Sequence, residues 1–121
     1  MDIWQKAYEF IDSYYDVFKN ARASIGSMYR ENSVLNYDGD EAVGPAAIVD
    51  AVADVGNWDY ENRLVDIMPQ ADGTAVVLVT GALTLPSWNG YKSAFAETFV
   101  LMQDEDGSYY AGYDTFRWSR L

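Results

Sequence analysis

Two acidic residues stand in otherwise apolar stretches, and they are the first candidates for chemistry. At two-residue spacing, Glu97 is flanked by Phe95, Phe99 and Leu101, and Asp114 by Tyr110, Phe116 and Trp118. Because side chains alternate between the faces of a strand, each carboxylate is expected on an apolar face, where loss of water raises its pKa. Such an acid can act in proton transfer, or it can be a structural group bonded to a tyrosine or to the backbone.

The absence of two residue types removes most other catalytic chemistry. The 121 residues include no cysteine and no histidine. This excludes disulfides, thiol nucleophiles, iron–sulfur clusters, histidine-ligated metals and imidazole acid–base catalysis. No spacing of acidic residues suggests a metal site, and no cofactor is expected. Any catalysis would depend on carboxylates, tyrosines or lysine.

The charge of the chain limits its partners. It carries 8 basic and 19 acidic residues, for a net charge of −11. Binding to nucleic acid or to an anionic membrane surface needs basic patches, so neither is expected, whereas a basic protein partner is compatible with this charge. No stretch approaches the roughly 18 apolar residues of a membrane span, and Met1–Gln5 does not resemble a signal peptide.

Helical periodicity dominates the first half of the chain. Apolar residues recur every three or four positions from Ile3 to Phe18, which predicts an amphipathic helix of about five turns. A shorter helix follows, with Ile25, Met28 and Tyr29 on its apolar side. A third helix is expected to begin at Gly44-Pro45 and to end at Gly56.

The second half has the two-residue period of strands. The predicted strands are Ser33–Tyr37, then Tyr60–Met68, Thr74–Leu85, Tyr91–Met102 and Ser108–Trp118. Short connections favour antiparallel pairing, and helices followed by strands indicate an α+β fold. Val76–Val79 is apolar on both faces, so one face is expected to cover the helices and the other to meet a second copy of the protein.

Seven segments in this order resemble the nuclear transport factor 2 family over nearly the whole chain. They are Phe10–Phe18, Met28–Leu35, Gly44–Val49, Val65–Pro69, Thr80–Leu83, Glu97–Leu101 and Tyr113–Arg117. The resemblance implies one domain over residues 1–121. It also implies a cystatin-like cone, in which three helices pack in a curved antiparallel sheet with a cavity at the wide end, and a homodimer packed sheet to sheet.

The resemblance implies a non-enzymatic carrier that binds the GDP form of the small GTPase Ran and phenylalanine–glycine (FG) nucleoporins. Such a carrier works in the cytoplasm, in the nucleus and at the nuclear envelope. Tyr37 and Asp38 match the aromatic–acid pair that the family places at the cavity mouth, although Asp38-Gly39 is also a common turn signal. The other expected binding residues are Trp58, Leu83, Phe99 and Phe116 at the pocket, and Trp4 for nucleoporins.

Other functions of the same fold stay open. Ketosteroid isomerases and small dehydratases are similar cones, and Tyr14 and Glu97 fall at their tyrosine and acid positions, which implies a small hydrophobic substrate. Their base position falls on Tyr37, with Asp38 one step away. An interaction subunit or an engineered scaffold is a further alternative. The loop Leu85–Gly90 lacks the acids that the family uses to hold Ran.

Overall fold

Three helical segments form the layer that fills the sheet. The structure is a computed structural model and describes residues 2–56, 58–84 and 89–119. Helix α1 spans Ile3–Asn20, a 3₁₀ helix spans Arg22–Met28, and helix α2 spans Pro45–Val52. The Asp2 side chain caps α1 by accepting a hydrogen bond from the Gln5 backbone N–H at 2.9 Å. The predicted long amphipathic helix is therefore confirmed.

Within the described residues, six strands form one curved, unclosed sheet around α1, which confirms the α+β cone. They are β1 (Tyr29–Tyr37), β2 (Asp40–Val43), β3 (Asp59–Pro69), β4 (Ala75–Thr84), β5 (Lys92–Gln103) and β6 (Tyr109–Ser119). Their spatial order is β2-β1-β6-β5-β4-β3. Neighbours pair antiparallel except β1 and β6, which run parallel and place Tyr37 beside Phe116.

Three predictions about the first half of the chain were wrong in detail. Tyr29 begins β1 and does not belong to the second helix, and its hydroxyl bonds to a buried acid on β6. The predicted strands leave out Asp40–Val43, which pairs with β1 as a strand. Helix α2 ends at Val52 instead of Gly56, and the Arg22 side chain bonds the carbonyl groups of Val55 and Gly56.

A bulge in β6 changes the face on which one predicted neighbour lies. Tyr113 pairs with Val100, but Ala111 pairs with Leu101, so Gly112 is an extra residue in the strand. A Cβ atom at Gly112 would lie 2.5 Å from the Met102 sulfur, so a larger residue there would displace this flexible side chain. The alternation of faces therefore restarts after Gly112. Tyr110 was expected on the same face as Asp114, but it does not lie there.

The two faces of β4 differ in burial. Val77 and Val79 are buried in the core, whereas Val76 and Leu78 on the opposite face are only partly covered. The prediction that one face of this strand is buried against the helices is thus met within a single chain. The predicted end of this strand at Leu85 and most of the following loop lie outside the described residues. Within those residues, no helix is long and apolar enough to cross a membrane.

Candidate functional site

Helix α1 and three strands bring five polar side chains together inside the cone. We call this group the base: Tyr14, Tyr15, Tyr29, Glu97 and Asp114, all of them buried. Tyr14 and Tyr15 come from the buried stripe of α1, and Tyr29 is the first residue of β1. Phe99 pairs with Asp114 across β5 and β6, so Glu97, two residues away on the same face, lies diagonally across from Asp114.

Asp114 is the centre of a tyrosine network. Its Oδ2 atom accepts hydrogen bonds from the Tyr29 hydroxyl at 2.6 Å and from the Tyr14 hydroxyl at 3.1 Å. The two hydroxyl oxygens also lie 2.7 Å apart. Burial raises the pKa of both tyrosines well above their usual range, and the charge of Asp114 raises it further. Both hydroxyls therefore remain protonated donors.

Burial favours a proton on the pair of acids formed by Glu97 and Asp114. Burial raises the pKa of Glu97 well above its usual range, and the charge of Asp114 raises it further, although the hydrogen bond from Tyr15 at 2.7 Å opposes this. Burial also raises the pKa of Asp114. When both acids are ionised, Asp114 Oδ1 has no hydrogen-bond partner among the described residues. A proton on Glu97 supplies the missing donor.

A second group, which we call the mouth, closes the cone above the base. It consists of the stacked rings of Tyr37, Trp58, Phe116 and Trp118. The Phe116 centroid lies 5.1 Å from that of Tyr37 and 5.2 Å from that of Trp58, and the Trp58 and Trp118 centroids are 6.2 Å apart. The parallel pairing of Tyr37 with Phe116 sets this stack.

Asp38 holds an exposed charge beside the mouth. Asp38 and Gly39 have φ values of 50° and 102° in the two-residue turn between β1 and β2, as in a type I′ turn. The Asp38 backbone N–H donates to the Phe116 carbonyl at 2.8 Å. Its Oδ2 atom accepts a hydrogen bond from Trp118 Nε1 at 2.7 Å. Asp38 is thus both a turn residue and an anion fixed at the rim.

The space between base and mouth is small. The cavity has a volume of about 10 Å³, and its lining includes Tyr14, Tyr37, Trp58, Glu97 and Phe116. That is about the room that one water molecule requires. A small hydrophobic substrate does not fit without movement of the lining. The Tyr14 hydroxyl bonds Asp114, and Glu97 bonds Tyr15, so both candidate catalytic groups are engaged with other protein atoms.

The structure brings together only part of the expected binding set. Tyr37, Asp38, Trp58 and Phe116 meet at the mouth. Leu83 and Phe99 are completely buried in the core, so neither reaches a partner unless the fold opens. Trp4 is 56% exposed and lies 14 residues before Phe18 on α1, which is about 21 Å along a helix.

Sequence reasoning missed three residues that shape the site. Tyr29 was assigned to a helix, and only the fold shows its contact with Asp114. Trp118 was noted for its spacing from Phe116 but was not given a place at the mouth, although alternation along β6 puts both on one face. Arg22, which contacts α1 and the segment before Trp58, carries no sequence signal for this role.

The outer face of the sheet carries a continuous apolar row. One residue from each strand contributes to this row: Met68, Val76, Val100, Tyr113, Val34 and Val43, in spatial order from β3 to β2. Met68 is 49% exposed, Val43 is 55% exposed and Tyr113 is 56% exposed. An apolar band of this kind is typical of surfaces that meet another protein.

The fold and the mouth define an α+β cone protein with an aromatic–acid rim, and comparisons identify its family. The profile of the nuclear transport factor 2 (NTF2) domain matches residues 6–118. Nuclear transport factor 2 of Emericella nidulans is 30% identical over 119 residues, covering 96% of this chain and 94% of the relative. The chain belongs to the nuclear transport factor 2 family.

Solved structures agree with this assignment. Nuclear transport factor 2 from Cryptosporidium parvum superposes with a TM-score of 0.85 at 26% identity, covering 95% of this chain and 93% of that one. A ketosteroid isomerase-like protein from Erwinia carotovora atroseptica gives a TM-score of 0.77 at 18% identity, covering 97% and 96%. At that identity the second similarity shows a shared cone fold alone.

Proposed function

We propose that the protein is a non-enzymatic carrier in nuclear transport. It binds the GDP form of Ran at the mouth and moves between cytoplasm and nucleus through contacts with FG nucleoporins at the nuclear envelope. Membership of the nuclear transport factor 2 family supports this role. The observation that carries it is Asp38, an exposed carboxylate fixed beside four stacked aromatic rings.

The mouth has the chemistry to bind an aromatic side chain flanked by basic residues. Aromatic rings supply a large apolar surface, and an adjacent carboxylate pairs with a cation on the partner. Asp40 and Glu41 lie on the same hairpin as Asp38, and all three are exposed. Because the whole chain has a net charge of −11, its field also attracts a basic surface before contact.

Titration against Ran tests the carrier directly. We expect micromolar or tighter affinity for the GDP form by calorimetry, and no binding of the GTP form. Asp38→Asn is a matched variant, because asparagine tolerates positive φ and retains an oxygen acceptor for Trp118. We expect Asp38→Asn to weaken binding about tenfold and Asp38→Lys to abolish binding. Absence of binding to both nucleotide forms would overturn the proposal.

The proposed nucleoporin contact is at the start of α1. Trp4 and Tyr8 are four residues apart, and both are exposed, so they form an aromatic pair on one side of the helix. We expect an FG-repeat peptide to bind there and Trp4→Ala to reduce this binding at least fivefold. Tyr91→Ala removes an equally exposed aromatic residue elsewhere and serves as the control. Equal losses in both variants would contradict the assignment.

We further propose that the carrier is a homodimer joined through the apolar row on the outer face. A stable interface buries roughly 800 Å² on each partner, and a row that crosses all six strands provides a suitable surface. Sedimentation equilibrium is expected to show a dimer for the native chain and a monomer for Met68→Arg. Tyr91→Arg introduces the same charge outside the row and should remain dimeric. A monomeric native chain would refute the interface.

A further inference from the structure

Trp58 occupies the entrance that the proposed partner would use. Its side chain is 5% exposed, and its ring centroid lies 5.2 Å from Phe116, 6.2 Å from Trp118 and 6.1 Å from Phe18. The cavity that remains beneath it measures about 10 Å³. An inserted aromatic side chain therefore has no space while Trp58 stays in place.

Trp58 lies just outside the region in which β3 pairs with β4. The register of β3 with β4 begins one residue later, at Asp59 opposite Thr84, and β3 is an edge strand. Among the described residues, the buried Trp58 Nε1 atom has no hydrogen-bond partner. An unpaired buried donor is unfavourable, so packing holds this indole without a hydrogen bond from that part of the chain.

Arg22 fastens the segment that leads to Trp58. Its guanidinium group donates to the carbonyl of Val55, and to that of Gly56 at 3.1 Å. Its Nε atom donates to the Phe18 carbonyl at 3.0 Å, and the group lies 4.7 Å from the Phe18 ring centroid. One side chain thus links the end of α1 to the backbone just before Trp58.

Asp38 is connected to the same stack from the opposite side. Trp118 stacks on Trp58 and donates its indole N–H to Asp38 Oδ2. A cation that pairs with Asp38 competes with Trp118 for this carboxylate. Charge pairing at the rim therefore acts directly on the residue that stacks on Trp58.

We propose that Trp58 is an internal occupant of the binding pocket, which a partner's hydrophobic side chain must displace, and that Arg22 holds it in the closed position. This inference rests on the proposed carrier function and specifies how its site is regulated. When only a fraction of molecules is open, the apparent dissociation constant rises in inverse proportion to that fraction. Weakening the closed state should then tighten binding.

Two variants and a small-molecule probe test the proposal. Trp58→Ala should create an apolar cavity that binds indole in a calorimetric titration, because empty apolar cavities accept small aromatic molecules. The native chain should not bind indole. Arg22→Gln should tighten binding of Ran–GDP about tenfold. Arg63→Gln makes the same change of charge on β3, where the guanidinium group lies over the Tyr15 ring, and should leave the affinity unchanged.

The outcomes separate this inference from the carrier proposal. If no variant binds Ran–GDP, the carrier proposal fails, and indole binding by Trp58→Ala still decides whether the pocket is internally occupied. No uptake of indole by folded Trp58→Ala would overturn the inference. If Trp58→Ala does not fold by circular dichroism, Arg22→Gln decides, and an unchanged or weaker affinity for Ran–GDP would overturn it.

Discussion

The base and the mouth of the cone are neighbours, yet they are held together by different forces. In the base, hydrogen bonds of 2.6 to 3.1 Å connect three tyrosines to two carboxyl groups. In the mouth, stacked rings supply the contacts, and one carboxylate lies exposed at the rim. Substitutions in the base should therefore change stability, whereas those at the rim should change binding.

Loss of the central acid should have the largest effect. Asp114→Ala removes the acceptor of two buried hydroxyl groups and leaves Glu97 without its partner. We expect the free energy of unfolding to fall by about 3–5 kcal/mol in urea denaturation. Asp66→Ala, at an exposed position on β3, should change it by less than about 0.5 kcal/mol. Equal effects would remove the distinction between the regions.

Removal of one hydroxyl group from each region gives a sharper comparison. Tyr29→Phe deletes a buried hydrogen bond to a carboxylate and should destabilise the protein by about 1.5–3 kcal/mol. Tyr37→Phe should have almost no effect, because the Tyr37 hydroxyl makes no hydrogen bond within the described part of the chain. The same denaturation experiment measures both. A larger loss for Tyr37→Phe would contradict the account.

A proton shared by Glu97 and Asp114 should give the free energy of unfolding a distinct pH dependence. Since the pKa of Glu97 is raised on folding, the native state binds the extra proton. Stability should then fall as pH rises above the unfolded value of about 4.3, by about 1.4 kcal/mol per pH unit until the native pair ionises. In Glu97→Gln, an amide N–H replaces the proton, and this slope should disappear.

The difference in stability between the native protein and Glu97→Gln isolates the contribution of this proton. The pKa values of Asp72 and Asp106 are lowered by hydrogen bonds with Thr74 and Ser108 in exposed turns. Their contributions are lost as pH falls, and they are common to both proteins. Chemical denaturation between pH 5 and pH 8 provides the measurement. Parallel stability curves for the two proteins would show that Glu97 is ionised in the native state.

The sequence was sufficient to predict the fold and part of the candidate site. Periodicity located α1 and the four long strands, and alternation placed Glu97 on the buried face. Local pattern was insufficient where tertiary contacts decide the conformation. Tyr29 lies in a strand, from which its hydroxyl donates a hydrogen bond to Asp114, and Gly112 forms a bulge that no periodic pattern reveals.

The mouth was harder to predict for a similar reason. Tyr37 and Phe116 lie 79 positions apart and meet only because β1 and β6 pair in parallel. Arg22 bonds the backbone of the segment that precedes Trp58. Neither contact has a local signature. The family resemblance supplied Tyr37 and Asp38, and the structure shows how the turn and Trp118 orient the carboxylate.

Fluorine NMR of the protein labelled with 5-fluorotryptophan tests the central claim most directly, because it reports on individual tryptophans. The chain has four tryptophans, including two at the mouth and Trp4 on α1. Addition of Ran–GDP should shift the Trp58 and Trp118 resonances and leave that of Trp4 unchanged. Binding that shifts Trp4 while Trp58 and Trp118 stay unchanged would contradict the assignment of the mouth as the carrier site.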